Sequence, residues 1–212
     1  MINFGTSAYL KLLALNPKPR DSELRKRLKP SESGYDYHKA MRRIASQYAT
    51  GEIGIGEVQA KLATIGRLPE RNSAAGAINQ LTRWLNRRTG NPTQETDKKY
   101  VSPRELFSVK FSPDFSLEID GKPTLIHLWN TKQPALSSRE AIGTLGLFAS
   151  EYTESNIGVL CLRTSHLYVY SEATNAGELP HLLVRDVEKR ILRMNEDAYE
   201  PTEIEHIRPQ HV

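Results

Sequence analysis

Residues 111–134 read FSPDFSLEIDGKPTLIHLWNTKQP, and the fold turns on how this stretch is divided. From Asp114 to Asp120 polar and apolar residues alternate. Phe115, Leu117 and Ile119 fall on one side; Asp114, Ser116, Glu118 and Asp120 fall on the other. That is the period of a half-buried strand. From Thr124 to Thr131, Leu125, Ile126, Leu128 and Trp129 place apolar groups on both faces, as in a central strand covered on both sides. Asp120-Gly121 is a turn pair. The register of this hairpin is open from sequence. A three-residue loop, Gly121-Lys122-Pro123, sets Asp114 opposite Asn130 and Phe115 opposite Trp129, a favourable aromatic pair. A two-residue loop slips the pairing and turns Asp114 away from Lys132. A bulge would bring it back.

Outward from the hairpin the period changes. Downstream, Ser137 and Glu140 form a capping box that opens a helix to about Tyr152. Gly143 and Gly146 in that helix allow close packing on a sheet at some cost in propensity. Two strands follow, NIGVLCLR and HLYVYSE, then the helix VRDVEKRILRM and a polar tail. Upstream, LFSVKFS reads as a strand and residues 90–103 as a polar linker or surface loop. The first 90 residues read as helical. The strongest helix there ends at Gly90 and carries Ile78, Leu81, Trp84 and Leu85 as one stripe, with Arg83, Arg87 and Arg88 on its other side or last turn. GTSAYLKLLAL is another helix, stopping at Asn16-Pro17.

The fold class expected is α/β, a mixed sheet flanked by helices, with an N-terminal helical region. The 212 residues divide into a helical basic region over 1–72, an α/β core over 73–172 with a loop at about 90–103, and a C-terminal helix and tail over 173–212. Residues 1–100 hold 18 Lys and Arg against 9 Asp and Glu, whereas 101–212 hold 11 against 16. A basic first half fits a polyanionic partner, or is an ordinary solvated surface. No apolar run is long enough to span a bilayer, and the N-terminus lacks the pattern of a signal peptide. A cytoplasmic, non-membrane protein is expected. The lone cysteine, Cys161, sits in an apolar strand and is read as a buried, inert thiol.

Pro113-Asp114 opening one strand and Asn130-Thr131-Lys132 closing the next resemble the signature of the PD-(D/E)XK nuclease superfamily, over roughly residues 74–172. The resemblance implies a restriction-endonuclease-like core and Mg²⁺- or Mn²⁺-dependent phosphodiester hydrolysis. Asp114 would hold the metal, Asn130 would assist, and Lys132 would position water or phosphate. A hard cation wants oxygen ligands, and residues two apart on a strand share a face. Asn130 stands where the family has its second acid, so the site is one carboxylate short. Glu118, Glu105 and Glu70 are candidates to replace it. The chain is then either an active nuclease or a silent relative, one that binds nucleic acid or acts as a regulatory or oligomerising partner in a defence or mobile-element system.

For nucleic acid, DNA ahead of RNA, the candidate contacts are Arg25, Lys26, Arg27 and Lys29 in KPRDSELRKRLK, with Arg42 and Arg43. Tyr35 and Tyr37 either stack on bases or pack under an amphipathic helix. A homo-oligomer or protein partner is left open. His127, mid-strand between Ile126 and Leu128, reads as a hydrogen-bonded core histidine.

Overall fold

The computed structural model describes residues 1–29, 36–86, 88–91, 97–171 and 173–197. Tyr35, Arg87 and the expected polar tail beyond 197 lie outside these residues. In chain order the elements are β1 (Ile2–Gly5), α1 (Thr6–Ala14), α2 (Pro17–Leu28), α3 (Lys39–Ala49), α4 (Ile55–Ala63), α5 (Leu68–Leu85), β2 (Lys98–Val101), β3 (Phe107–Phe111), β4 (Phe115–Ile119), β5 (Lys122–Trp129), α6 (Ser138–Leu145), a 3-10 turn (Gly146–Glu151), β6 (Asn156–Cys161), β7 (His166–Tyr170) and α7 (Leu179–Asp197).

The β4–β5 hairpin settles its own register. Ile119 pairs with Lys122 and Phe115 with Ile126, so the loop is the two residues Asp120 and Gly121. Their φ angles are 52° and 75°. Two positive φ values in succession make the turn whose twist matches a hairpin, and Asp-Gly is a preferred pair for it. Phe115 therefore faces Ile126 rather than Trp129. Asp114, just ahead of β4, comes beside His127 rather than Asn130.

β5 is central, as its two-sided apolar pattern implies. It pairs antiparallel with β4 and parallel with β6, and β7 closes the order β4-β5-β6-β7. The crossover from β5 to β6 runs through α6; Ser137 is its N-cap residue, but its hydroxyl bonds the Glu140 carboxylate rather than a backbone N–H, so the expected capping box is not formed. The helix shortens into the 3-10 turn at Gly146 instead of running on to Tyr152.

Two strands were not foreseen. β1 pairs parallel with β3, and β2 pairs antiparallel with β3, giving a small sheet of order β1-β3-β2. The first 90 residues are therefore not all helical, and the polar stretch 90–103 holds a strand. β1 has four residues, with Ile2 and Phe4 buried, too few to show a period. β2 is KKYV with Lys99 and Val101 exposed, the lysine-bearing character of an edge strand. Pro17 starts α2 where it was read as a stop, because proline suits a helix's first position as well as the residue after its end.

The four-stranded sheet is covered on both faces. On one face Leu125, Trp129, Ile157, Val159 and Cys161 pack with residues of α1, α6, α7 and the small sheet, including Phe4, Phe107 and Phe111. On the other, Phe115, Leu117, Ile126, Leu128 and Leu160 pack under α3, α4 and α5 through Met41, Ile44, Val58, Ile78 and Leu81. Each such side chain, fully buried, contributes about 1.5–3 kcal/mol of transfer free energy. Because β1 completes a sheet with β3 and α7 shares a core with α1, residues 1–72 are not a separate region. No helix among the described residues is long and apolar enough to cross a membrane.

Candidate functional site

Asp114 serves the strand beside it. The Leu128 N–H, beyond the last paired residue of β4, donates to Asp114 Oδ2 at 2.7 Å. The Asp114 N–H donates to the Ile126 carbonyl at 2.7 Å, and its carbonyl accepts from the Ser46 hydroxyl of α3. Arg42 Nε lies 3.7 Å from Oδ1. Burial is the largest influence and raises the carboxyl pKa to about 7, against the opposing pull of Arg42 and the Leu128 N–H.

Asn130 follows β5 by one residue and is buried. It lies with Ile126 and Leu128 on the face toward α5, where its Nδ2 lies 3.2 Å from the Ser73 hydroxyl and 3.4 Å from the Ser73 carbonyl. Arg163 closes the arrangement, donating to the Asn130 carbonyl at 3.2 Å and to the Ser73 hydroxyl at 3.0 Å. Asn130 Oδ1 is buried with no hydrogen-bond partner among the described residues. Lys132 lies exposed past the strand end. Glu118 is exposed opposite Pro123 at the turn end of the hairpin, about 13 Å along the strand from Asp114 at roughly 3.3 Å per residue.

The expected constellation is therefore not assembled. Asp114 sits beside His127 and Arg42, Asn130 turns to Ser73, Lys132 points to neither by any ion pair among the described residues, and Glu118 is at the far end. The register accounts for this: the Asp-Gly turn moves Asp114 off Asn130. The reserve acids do not complete it either. Glu105 is exposed in the β2–β3 turn, and Glu70 is buried at the start of α5. Among the described residues no group of three or more His, Cys, Asp and Glu side chains is placed to hold a metal ion. These residues do not fit a shared Mg²⁺ site.

A different site forms where β1, β3 and β5 end. A cleft of about 550 Å³ is lined from α1 by Thr6, Ser7 and Lys11, and from α2 and α3 by Arg27 and Arg42. Asp36, Tyr37 and His38 line it ahead of α3; Lys110, Ser112, His127 and Thr131 line it from the strand ends. Carboxyl ends of strands are where open α/β sheets bind ligands. α1 enters from Gly5 with no side-chain cap and no acid in its first turn, so its leading N–H groups keep their partial positive charge. Four acids accompany the four cations: Asp36 stands in the lining itself, and three others are paired. Glu23 pairs with Arg27 at 3.2 Å, Asp97 with Lys110, and Asp114 with Arg42. Lys11 has no acidic partner among the described residues. A carboxyl with a pKa of about 7 is only partly ionised at neutral pH, so Arg42 keeps much of its field.

His127 forms the floor. It is fully buried, with Nε2 at 2.8 Å from the Ser7 hydroxyl and Nδ1 at 2.9 Å from the Ser112 carbonyl. This is the hydrogen-bonded core histidine expected from sequence. Burial first, and Arg42 second, lower its pKa to about 3. His38 at the rim is also shifted down by burial, and its ring meets Tyr37 edge-on at 5.0 Å.

Of the candidate phosphate contacts, Arg27 and Arg42 reach this cleft; Arg27 also lies over the Phe4 ring at 5.1 Å. Arg25, Lys26, Lys29 and Arg43 are exposed outside its lining. Tyr37 lines the cleft, half-buried. Lys11, Lys110, Ser7 and His127 were missed as a group. The available signal was Gly5-Thr6-Ser7, small residues between a short strand and a helix, but it needs β1 to be recognised first.

Fold and site together define a mixed α/β protein, two sheets flanked by helices, with a cationic cleft at its strand ends. No protein family and no curated protein matches the chain. Among solved structures it is similar to the crystal structure of SSO0001 at 14% identity and a TM-score of 0.32, covering 86% of this chain and 84% of that one.

Proposed function

We propose that this chain is a nucleic-acid-binding protein on a nuclease-like scaffold, and that it holds a phosphate backbone in the cleft between α1, α3 and the ends of β3 and β5. One observation carries the reading: Lys11, Arg27, Arg42 and Lys110, from four separate elements, line one concave site. Such a site favours a chain of phosphates over an isolated carboxylate, because each neutralised phosphate releases counterions and adds to affinity. Tyr37 and His38 at the rim offer ring faces to a base. The nuclease-like part of the reading rests on α5, the β4–β5 hairpin and the parallel crossover through α6, in the order of that superfamily's core.

The test is fluorescence anisotropy of a labelled single-stranded oligonucleotide across a salt series, with a duplex in parallel. Four phosphate contacts give a slope of log affinity against log salt of about −3, at roughly −0.7 per contact. Replacing Lys11 and Lys110 together with Ala should flatten it by about 1.4 on the same basis. Absent or salt-independent binding refutes the proposal. Cleavage of the oligonucleotide on addition of Mg²⁺ or Mn²⁺ would instead favour an active nuclease.

A further inference from the structure

Ser7 and His127 make an arrangement that backbone binding alone does not use. The Ser112 carbonyl, 2.9 Å from His127 Nδ1, can only accept a hydrogen bond. Nδ1 must therefore carry the proton, and Nε2 presents its lone pair. The Ser7 hydroxyl, 2.8 Å from Nε2, donates to it. A serine hydroxyl held by an unprotonated imidazole, with that imidazole oriented from behind by a third group, is the general arrangement of an activated nucleophile. Asp114 Oδ2 lies 3.6 Å from Nδ1, beyond hydrogen-bond reach, and is itself held by the Leu128 N–H. Both Ser7 and His127 face the cleft, and the ring is otherwise enclosed.

The surroundings suit charge developing on a phosphoryl group. Ser7 is the second residue of α1, so the uncapped helix start lies beside its oxygen. Lys11, Arg42 and Lys110 line the same space. Donors and cations placed where charge grows are the commonest large contribution to such chemistry.

We propose that Ser7 is a nucleophile, with His127 as its base, toward a phosphodiester seated in this cleft; the proposal rests on the polyanion reading above. The Ser7 Oγ–P bond forms as the bond from phosphorus to the leaving oxygen breaks. The Ser7 proton passes to His127 Nε2 and then to that leaving oxygen, and the product is a Ser7 phosphodiester plus an alcohol. The neutral ring is the form the step requires. A phosphate beside Arg42 offsets the guanidinium's field, the second influence on the ring after burial.

The test uses the full chain with bis(p-nitrophenyl) phosphate in the presence of EDTA. Nitrophenolate release is followed, and intact mass and peptide mapping locate any adduct. The expected result is a stoichiometric burst with the added mass on Ser7. Ser7→Ala should abolish it, and His127→Gln, which removes the acceptor of the Ser7 proton, should slow it. Ser7→Cys, which keeps a nucleophile of similar shape, should retain the adduct and covers the case in which Ser7→Ala does not fold. No burst and no mass gain, from protein that binds the oligonucleotide in a salt-dependent way, overturns this inference and leaves the binding proposal standing. Release that persists unchanged in folded Ser7→Ala overturns it as well. Protein that binds no oligonucleotide removes both.

Discussion

Replacing Asp114 with Asn should make the fold more acid-sensitive than the wild-type chain. Burial raises folded Asp114 from 3.8 to about 7. Between those values the native state holds a proton that the unfolded chain has lost, so this group's contribution falls as pH rises through the window and is flat above it. Burial lowers His127 from 6.5 to about 3. There the unfolded chain holds the extra proton, so stability is lost as pH falls below 6.5. Each one-proton difference gives a slope of about 1.4 kcal/mol per pH unit. The slopes have opposite signs and overlap from 3.8 to 6.5, so the wild-type pair nearly cancels. In Asp114→Asn only the histidine slope remains, and urea unfolding should show a loss of about 3 kcal/mol between pH 6.5 and 4 relative to wild type. The carboxamide oxygen can still accept from the Leu128 N–H, which keeps the variant folded at neutral pH. His127→Gln should do the reverse and gain stability as pH drops from 7 to 4. Other ionisable groups are common to all three proteins and drop out of the differences. Parallel profiles for wild type and Asp114→Asn would refute the assignment, since they would mean that the carboxylate stays ionised in the fold.

Two further substitutions test the hairpin and the buried amide. Gly121→Ala places a Cβ at φ +75° and should cost about 1–2 kcal/mol, read as a lower Tm. Unchanged Tm would contradict the two-residue turn that sets the register. Asn130→Asp removes the amide donor to Ser73 in a buried position and should cost about 1–3 kcal/mol with no recovery on adding Mg²⁺. A Tm that rises with Mg²⁺ only in this variant would show that residue 130 does meet a cation.

The hairpin shows how far local pattern reaches. Alternation in Phe115–Ile119 and the two-sided apolar run of β5 identify both strands, because burial on one face or two leaves a period in the chain itself. The register was open in both the length and the place of the loop, although Asp120-Gly121 carried the information: two positive φ angles suit that pair. A loop at Asp120-Gly121 rather than Gly121–Pro123 shifts Asp114 three positions along β5, from Asn130 to His127. β1 and β2 were hidden for different reasons. Four residues are too few to display a period, and an edge strand is polar because it faces water.

The chain's own order of residues determined the helices of its first half, the central position of β5 and the burial of Cys161 and His127. Each of these depends on contacts that repeat along a single element. Only the tertiary structure decided the site. Ser7 and His127 are brought together across 120 positions, and Lys11, Arg42 and Lys110 converge from three elements. β1 finds β3 more than 100 residues away because its buried face, Ile2 and Phe4, has no partner nearby. Long-range pairing of this kind is chosen by the packing of the whole core, and no local period records it.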